Sequence, residues 1–211
     1  MSAERKRPWY LVLALLGALA LGTTGACSGW GTVMLYREPE PARLLVNPSL
    51  PGVTDPADRA AIESRVAADV RTLDAAKPRG WPVAVGTLLL GTAVLFFAMR
   101  ALGGSRGARA ALVQLVVAQA GLSVLGYWLT RDVLDADVRL TEAIQAAGFH
   151  EKVPDRPQAD EMSRTAATIL RVASPIALAL RSLGSILVVV ALTRRRARDF
   201  FDASAAAVQE R

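Results

Sequence analysis

The sequence predicts an all-α integral membrane protein with four transmembrane helices and a small helical extracytoplasmic bundle. Apolar residues make up 52% of the 211-residue chain and are concentrated in long blocks. The block from 81 to 99 carries no charged residue and is long enough to cross the roughly 30 Å hydrocarbon core of a bilayer as a helix. Basic residues cluster at the ends of the blocks, and the segments between them have the spacing of amphipathic helices.

Residues 1–36 are predicted to form an N-terminal tail and the first transmembrane helix. A basic start at residues 5–7 precedes an apolar run that continues past Cys27 to Tyr36. This run is longer than the apolar core of a cleaved signal peptide, which favours a retained signal-anchor helix. The alternative is a lipoprotein signal cleaved at Cys27, because residues 24–27 resemble a lipobox except at Thr24.

Small residues recur every four positions along this first helix. They are Ala14, Ala18, Gly22 and Ala26, and Gly25 and Gly29 form a second pair with the same spacing. Small residues on one helical face let another backbone approach closely inside a membrane. The pattern indicates packing within the chain, and the alternatives are chance in an Ala-rich sequence or self-association.

Residues 37–80 are predicted to form an extracytoplasmic loop that contains one amphipathic helix, 56–77. Four prolines between positions 39 and 51 prevent a continuous helix at the start of the loop. Asp55 then has the character of an N-cap, with Pro56 at the first helical position. Pro78 and Gly80 are expected to end the helix.

Residues 81–130 are predicted to form a transmembrane hairpin of two helices, 81–99 and 110–130. The turn between them carries Arg100, Arg106 and Arg109 and no acidic residue. A cationic turn between two apolar runs is expected at the cytoplasmic face of a bilayer.

The remaining residues are divided into three predicted segments. Residues 131–171 are expected to form an extracytoplasmic helical hairpin, with Gly148 ending its first helix and residues 149–157 forming its tip. The fourth transmembrane helix is 172–193. Residues 194–211 are expected to be a basic cytoplasmic tail, too short to fold as a domain, with Phe200 and Phe201 at the level of the lipid headgroups.

The distribution of basic residues predicts the orientation. Residues 5–7, the 100–109 turn and the 194–198 cluster all fall on one side of a four-span topology, which the positive-inside rule assigns to the cytoplasm. Both termini are therefore expected to be cytoplasmic, in a multi-pass protein of the cell inner (plasma) membrane. The four tryptophans lie near the predicted interfaces, as in an aromatic belt.

The composition also limits the expected partners and chemistry. The net charge of +6 does not indicate a nucleic-acid partner, because the excess lies at the ends of the apolar blocks. The expected partners are the lipid bilayer and either another membrane protein or a second copy of this chain. Cys27 is the only cysteine, and His150, the only histidine, is expected to be a solvated loop residue. We expect no cofactor, no metal site and no catalytic residue.

One charged residue lies inside a predicted span. Arg181 falls in the outer half of the fourth span, where a charge costs about 3 kcal/mol on insertion scales and is a functional candidate by default. Thr87, Gln119 and Ser123 lie at a similar depth and complete a candidate polar layer. The alternative is that Arg181 snorkels to the phosphates of the outer leaflet.

The function predicted from these features is that of a non-catalytic interaction or accessory subunit. The alternative is a small transporter or channel component that uses the Arg181 layer for an anionic ligand. A third hypothesis is a sensor whose outer bundle detects a ligand.

The predicted topology can be tested by labelling single cysteines with an impermeant maleimide in a Cys27→Ser background. The Ser64→Cys variant should react in intact cells, because residue 64 lies in a predicted extracytoplasmic segment. The Ser105→Cys variant should react only after permeabilisation. Labelling of Ser105→Cys in intact cells would contradict the four-span topology.

Overall fold

The computed structural model describes residues 8–37, 55–153 and 155–209. Within these ranges the chain forms six helices and no strand. They are α1 Trp9–Arg37, α2 Pro56–Leu102, α3 Arg106–Leu129, α4 Arg131–Lys152, α5 Arg156–Thr193 and α6 Arg195–Gln209. The all-α prediction is therefore confirmed for this part of the chain. The basic residues 5–7 and the proline-containing start of the predicted loop, residues 38–54, fall outside it.

Four of the helices are long and apolar enough to cross a membrane. They are α1, α2, α3 and α5. Each contains one of the four apolar blocks identified in the sequence, so the predicted number of candidate spans is confirmed.

The helices contribute to two compact units, each with its own contacts. Unit 1 comprises the described parts of Met1–Gly31, Val83–Leu125 and Leu178–Arg211, and unit 2 comprises those of Thr32–Pro82 and Gly126–Ala177.

The core of unit 1 receives fully buried side chains from α1, α2, α3, α5 and α6. The largest are Leu11, Leu15, Val94, Leu112, Val116, Leu192 and Phe201. Phe201 is 0% exposed, so its ring packs in the core of unit 1 and does not face lipid. Its level relative to the lipid headgroups stays a prediction. The segment after residue 194 forms helix α6, because Ala197 and Phe201 are four positions apart and form an apolar face that the core buries.

Helix α6 also contacts the turn between α2 and α3. Gly104 in this turn has a φ of 84°, a left-handed conformation that favours glycine, and a Cβ at this position would lie 3.1 Å from Cβ of Ser204. Arg106 at the start of α3 pairs with Asp202, with 3.0 Å between Nε and Oδ1. The basic turn is thus partly covered by the end of the chain.

Helix α2 is continuous where the sequence predicted a break. The start of the helix is as expected, since the N–H of Ala57 donates to Oδ1 of Asp55 at 2.8 Å, an N-cap. Pro78 and Gly80 do not end it, and the helix runs on to Leu102. Pro78 and Pro82 are four residues apart, so the hydrogen bonds they remove lie on one side of the helix and the others persist. Gly80 instead makes room for the ring of Tyr36, whose hydroxyl oxygen would lie 2.0 Å from a Cβ at position 80.

The hairpin predicted at 131–171 also has different helix boundaries. Helix α4 continues through Gly148 to Lys152, and the N–H of Val153 donates to the carbonyl of Phe149 at 2.8 Å. Helix α5 starts at Arg156, because Pro157 falls in its first turn, where a missing N–H costs little. It runs without interruption into the predicted fourth span, so residue 172 is not a structural boundary.

The stripe of small residues on α1 packs against α2 within unit 1. A Cβ at Gly29 would lie 2.4 Å from the backbone nitrogen of Leu88, and a Cβ at Gly91 would lie 2.3 Å from that of Ala26. A Cβ at Gly22 would lie 2.9 Å from the backbone nitrogen of Leu95. These main-chain contacts correspond to packing within the chain, the first of the interpretations given to the stripe.

The close contact at Gly29 can be tested by comparing two glycines on α1. Gly29→Ala should lower the free energy of unfolding by about 1–3 kcal/mol, because the new methyl group overlaps the α2 backbone. Gly31→Ala should raise it by about 0.5–1 kcal/mol, since nothing lies within 4 Å and alanine is the better helix former. Thermal unfolding of the purified variants measures both effects. Equal effects of the two substitutions would contradict the backbone contact.

Candidate functional site

The four residues of the predicted polar layer all lie in unit 1. Thr87 is on α2, Gln119 and Ser123 are on α3, and Arg181 is on α5. The structure brings two of them, Gln119 and Arg181, to the same position on α1, and that position is Gly25.

Gln119 is the buried polar residue of this site, with 4% of its surface exposed. Its Nε2 donates a hydrogen bond of 3.1 Å to the backbone carbonyl of Leu21 on α1. A Cβ at Gly25 would lie 2.0 Å from the same nitrogen. The amide of Gln119 therefore reaches the α1 backbone because residue 25 has no side chain.

Arg181 approaches Gly25 from α5. Its Nη2 would lie 3.1 Å from a Cβ at Gly25, is buried, and has no hydrogen-bond partner among the described residues. The acidic residues of unit 1 that the structure describes are Asp199 and Asp202, both on α6, and Asp202 pairs with Arg106. A guanidinium nitrogen without an acceptor is costly when it is buried. Nε of Arg109 is also buried without a partner, but the same guanidinium donates through Nη1 to the carbonyl of Leu192 at 3.2 Å.

Thr87 and Ser123 make hydrogen bonds within their own helices. Thr87 Oγ1 donates to the carbonyl of Val83, and Ser123 Oγ donates to the carbonyl of Gln119, both at 2.8 Å. These hydroxyl groups therefore do not join the Gln119–Arg181 pair through the hydrogen bonds described. The residue that sequence reasoning left out of the site is Gly25, although its pairing with Gly29 was visible as a small-residue spacing.

In unit 2 the only histidine joins three helices. His150 lies in α4, where the sequence predicted a solvated loop, and 15% of its side chain is exposed. Its Nδ1 lies 3.0 Å from Oδ2 of Asp58 on α2, and its Nε2 lies 2.8 Å from Oδ1 of Asp160 on α5. The loop prediction is wrong because α4 extends one turn past Gly148 and places the imidazole between two carboxylates.

The two contacts of His150 indicate its charge. With a carboxylate facing each ring nitrogen, both nitrogens donate when the ring is an imidazolium. The hydrogen bond with Asp160 and then that with Asp58 raise the pKa of His150 above its ordinary value of 6.5. The helix dipoles favour a positive His150 and a negative Asp58. His150 lies in the last turn of α4, where a cation is stabilised, and Asp58 lies in the first turn of α2, where an anion is stabilised.

Ion pairs also connect α2, α4 and α5 in unit 2. Arg156 pairs with Asp55, Arg79 pairs with Asp132, and Arg171 lies 3.7 Å from Glu142. The N–H of Ala57 and the guanidinium of Arg156 lower the pKa of Asp55. These pairs are partly exposed, so solvent screens them and each contributes little to stability.

A cleft of about 270 Å³ lies between α2 and α4 in unit 2. Its lining contains Arg65, Arg139, Asp69, Asp132 and Asp135, so charges of both signs face it. Oδ1 of Asp69 is buried without a hydrogen-bond partner in the described ranges, and burial, with a smaller effect of Asp137, raises the pKa of Asp69. The mixed charges do not define one class of ligand.

The His150 contacts predict a pH-dependent stability. Because the pKa of His150 is raised in the folded state, its stabilising effect is complete below about pH 6.5 and is lost as the pH rises through the folded-state pKa. His150→Gln should lower the free energy of unfolding by about 1–2 kcal/mol at about pH 6 and by less at about pH 9. Thermal unfolding across this range measures the difference.

The matched control for this experiment is Lys152→Gln. It removes one positive charge from the exposed end of the same helix, and it should preserve the pH dependence of the unmodified protein. If His150→Gln and the unmodified protein lose stability in parallel between about pH 6 and about pH 9, the positive charge inferred for His150 is wrong.

Comparison with protein-family models, with curated proteins and with solved structures gave no match to this chain. Within the described ranges, unit 1 contains two buried guanidinium nitrogens without an acceptor, Nη2 of Arg181 and Nε of Arg109, and unit 2 contains one imidazole bound by two carboxylates.

Proposed function

We propose that this chain is a multi-pass protein of the cell inner membrane that acts as a non-catalytic accessory subunit. In this proposal α1, α2, α3 and α5 cross the bilayer, both termini are cytoplasmic, and Arg181 binds a carboxylate on a helix of a partner protein. Each part of the proposal is supported by a separate feature.

Membrane insertion is supported by the apolar surface of α5. Large apolar side chains are exposed along it, and Leu180 has 63% of its surface exposed. The others beyond residue 176 are Leu183, Ile186, Leu187 and Val190. In water this surface would be an unusually large apolar patch, whereas hydrocarbon solvates it without cost.

Retention of α1 as a signal-anchor is supported by its role in the core. Leu11, Leu15 and Ala18 of α1 are buried in unit 1, and each is 1% exposed or less. Cleavage before Cys27 would remove these side chains and leave a large cavity, which costs several kcal/mol. A lipoprotein form of this chain would therefore lack part of its own core.

The accessory function rests on one observation, the unpaired Nη2 of Arg181. A guanidinium group in an apolar environment is stabilised by an acceptor of opposite charge, and the planar fork of arginine matches a carboxylate. The hydroxyl of Ser185 donates to the backbone carbonyl of Arg181 at 3.0 Å and forms no hydrogen bond with Nη2 of Arg181 in the described structure. Arg181 as a whole is partly exposed, so part of its side chain is open to a partner helix although Nη2 is buried.

The proposal is tested by substituting Arg181 and measuring which proteins co-purify at matched membrane abundance. Arg181→Leu should insert normally but lose a partner that carries an acidic residue in a transmembrane helix. The loss corresponds to about 3 kcal/mol, roughly a hundredfold in affinity. Arg181→Lys should restore part of the binding, because lysine keeps the charge without the planar fork.

Arg164→Leu is the matched control, because it removes an exposed arginine from the same helix. It should keep the partner. Retention of every partner by Arg181→Leu would contradict the accessory function. If that variant instead loses a thermal stabilisation by chloride or phosphate, the alternative function, an anion transporter or channel component, is favoured.

A further inference from the structure

The end of unit 1 that contains the α2–α3 turn and the start of α6 carries a dense set of exposed arginines. We call it the arginine surface, and it consists of Arg100, Arg106, Arg194, Arg195, Arg196 and Arg198. Nearby Arg109 is partly buried and donates through Nη1 to the carbonyl of Leu192 at 3.2 Å. The lysines that the structure describes, Lys77 and Lys152, both belong to unit 2.

Few carboxylates balance this surface. Asp202 pairs with Arg106 at 3.0 Å, and Asp199 is the other acidic residue of α6 that the structure describes. Arg195 and Arg196 form no ion pair in the described part of the chain. The surface is therefore strongly cationic.

The charges at the start of α6 are opposite to those that a helix prefers. The first turn of α6 contains arginines and no acidic residue. The N-terminus of a helix carries a partial positive charge, so cations there are unfavourable unless an anion neutralises them. Burial of Ala197 and Phe201 in the core nevertheless fixes α6 at this position, so the arginines stay together.

The arginine surface lies beside exposed apolar and aromatic side chains. The guanidinium of Arg194 lies 5.7 Å from the ring centre of Tyr10, and that of Arg100 lies 5.9 Å from the ring centre of Phe96. Trp9, the residue before Tyr10, has 74% of its surface exposed. Cations beside apolar groups at the ends of apolar helices match a lipid headgroup above its acyl chains.

From these features we infer that the arginine surface binds the phosphodiester groups of anionic phospholipids, with Arg195 and Arg196 as the principal contacts. The planar guanidinium binds phosphate oxygens in pairs, which fits a surface whose described cations are arginines. This inference rests on the proposed insertion into a membrane. It goes beyond that proposal because it assigns a lipid class and the residues that select it.

The inference is tested by titrating the purified full-length protein with phosphatidylglycerol or phosphatidylcholine and measuring bound lipid by native mass spectrometry. The unmodified protein should bind phosphatidylglycerol more tightly. The double variant Arg195→Gln/Arg196→Gln should bind it about 25-fold more weakly, as expected for two surface charges, with its affinity for phosphatidylcholine unchanged. Arg195→Lys/Arg196→Lys should retain part of the preference.

The matched control is Arg131→Gln/Arg164→Gln, which removes two exposed arginines from unit 2 and should keep the preference. An unchanged thermal midpoint in phosphatidylcholine verifies that the test variant is folded. Equal affinity of the unmodified protein for the two lipids, or no loss in the test variant, would overturn the inference. So would binding of a poly(U) RNA that depends on Arg195 and Arg196 and displaces phosphatidylglycerol.

Alkaline carbonate extraction separates this inference from the proposed function. Release of the unmodified protein from membranes would overturn the proposed insertion itself. Retention in the membrane without a preference for phosphatidylglycerol would overturn only the lipid inference.

Discussion

Unit 1 depends on the close approach of the α1 and α2 backbones. The contacts at Gly91 and Gly29 leave no space for side chains between these helices, so their separation is set by main-chain atoms. The same property of α1 creates the polar site, because the amide of Gln119 reaches the carbonyl of Leu21 across the bare surface of Gly25. Helix packing and the position of Arg181 are therefore consequences of one set of glycines.

The features that the sequence predicts well are those determined locally. Apolar blocks identify four candidate spans because each is long enough to be recognised without knowledge of its neighbours. The N-cap at Asp55 is equally local, since its acceptor and donor are two residues apart. Such features depend on spacing along the chain and not on tertiary contacts.

The errors arise where distant residues decide the outcome. Gly80 was expected to end a helix, but the ring of Tyr36 packs against it, and α2 continues. His150 meets Asp58, which is 92 positions away, so no local pattern places the imidazole between carboxylates. The candidate site combines a local and a non-local feature. The depth of Gln119 and Arg181 in their spans can be counted along the sequence. That both side chains face Gly25 depends on how the helices are rotated, which the sequence does not reveal.

The burial of Phe201 in the same core cluster as Leu11 has a consequence for the order of folding. These side chains belong to one core cluster although nearly the whole sequence separates them. Synthesis from the N-terminus releases α1 long before α6, so the cluster remains incomplete until α6 emerges. In that interval the apolar site that Phe201 fills is open, and the nascent protein presents a surface that chaperones or proteases of a quality-control system recognise.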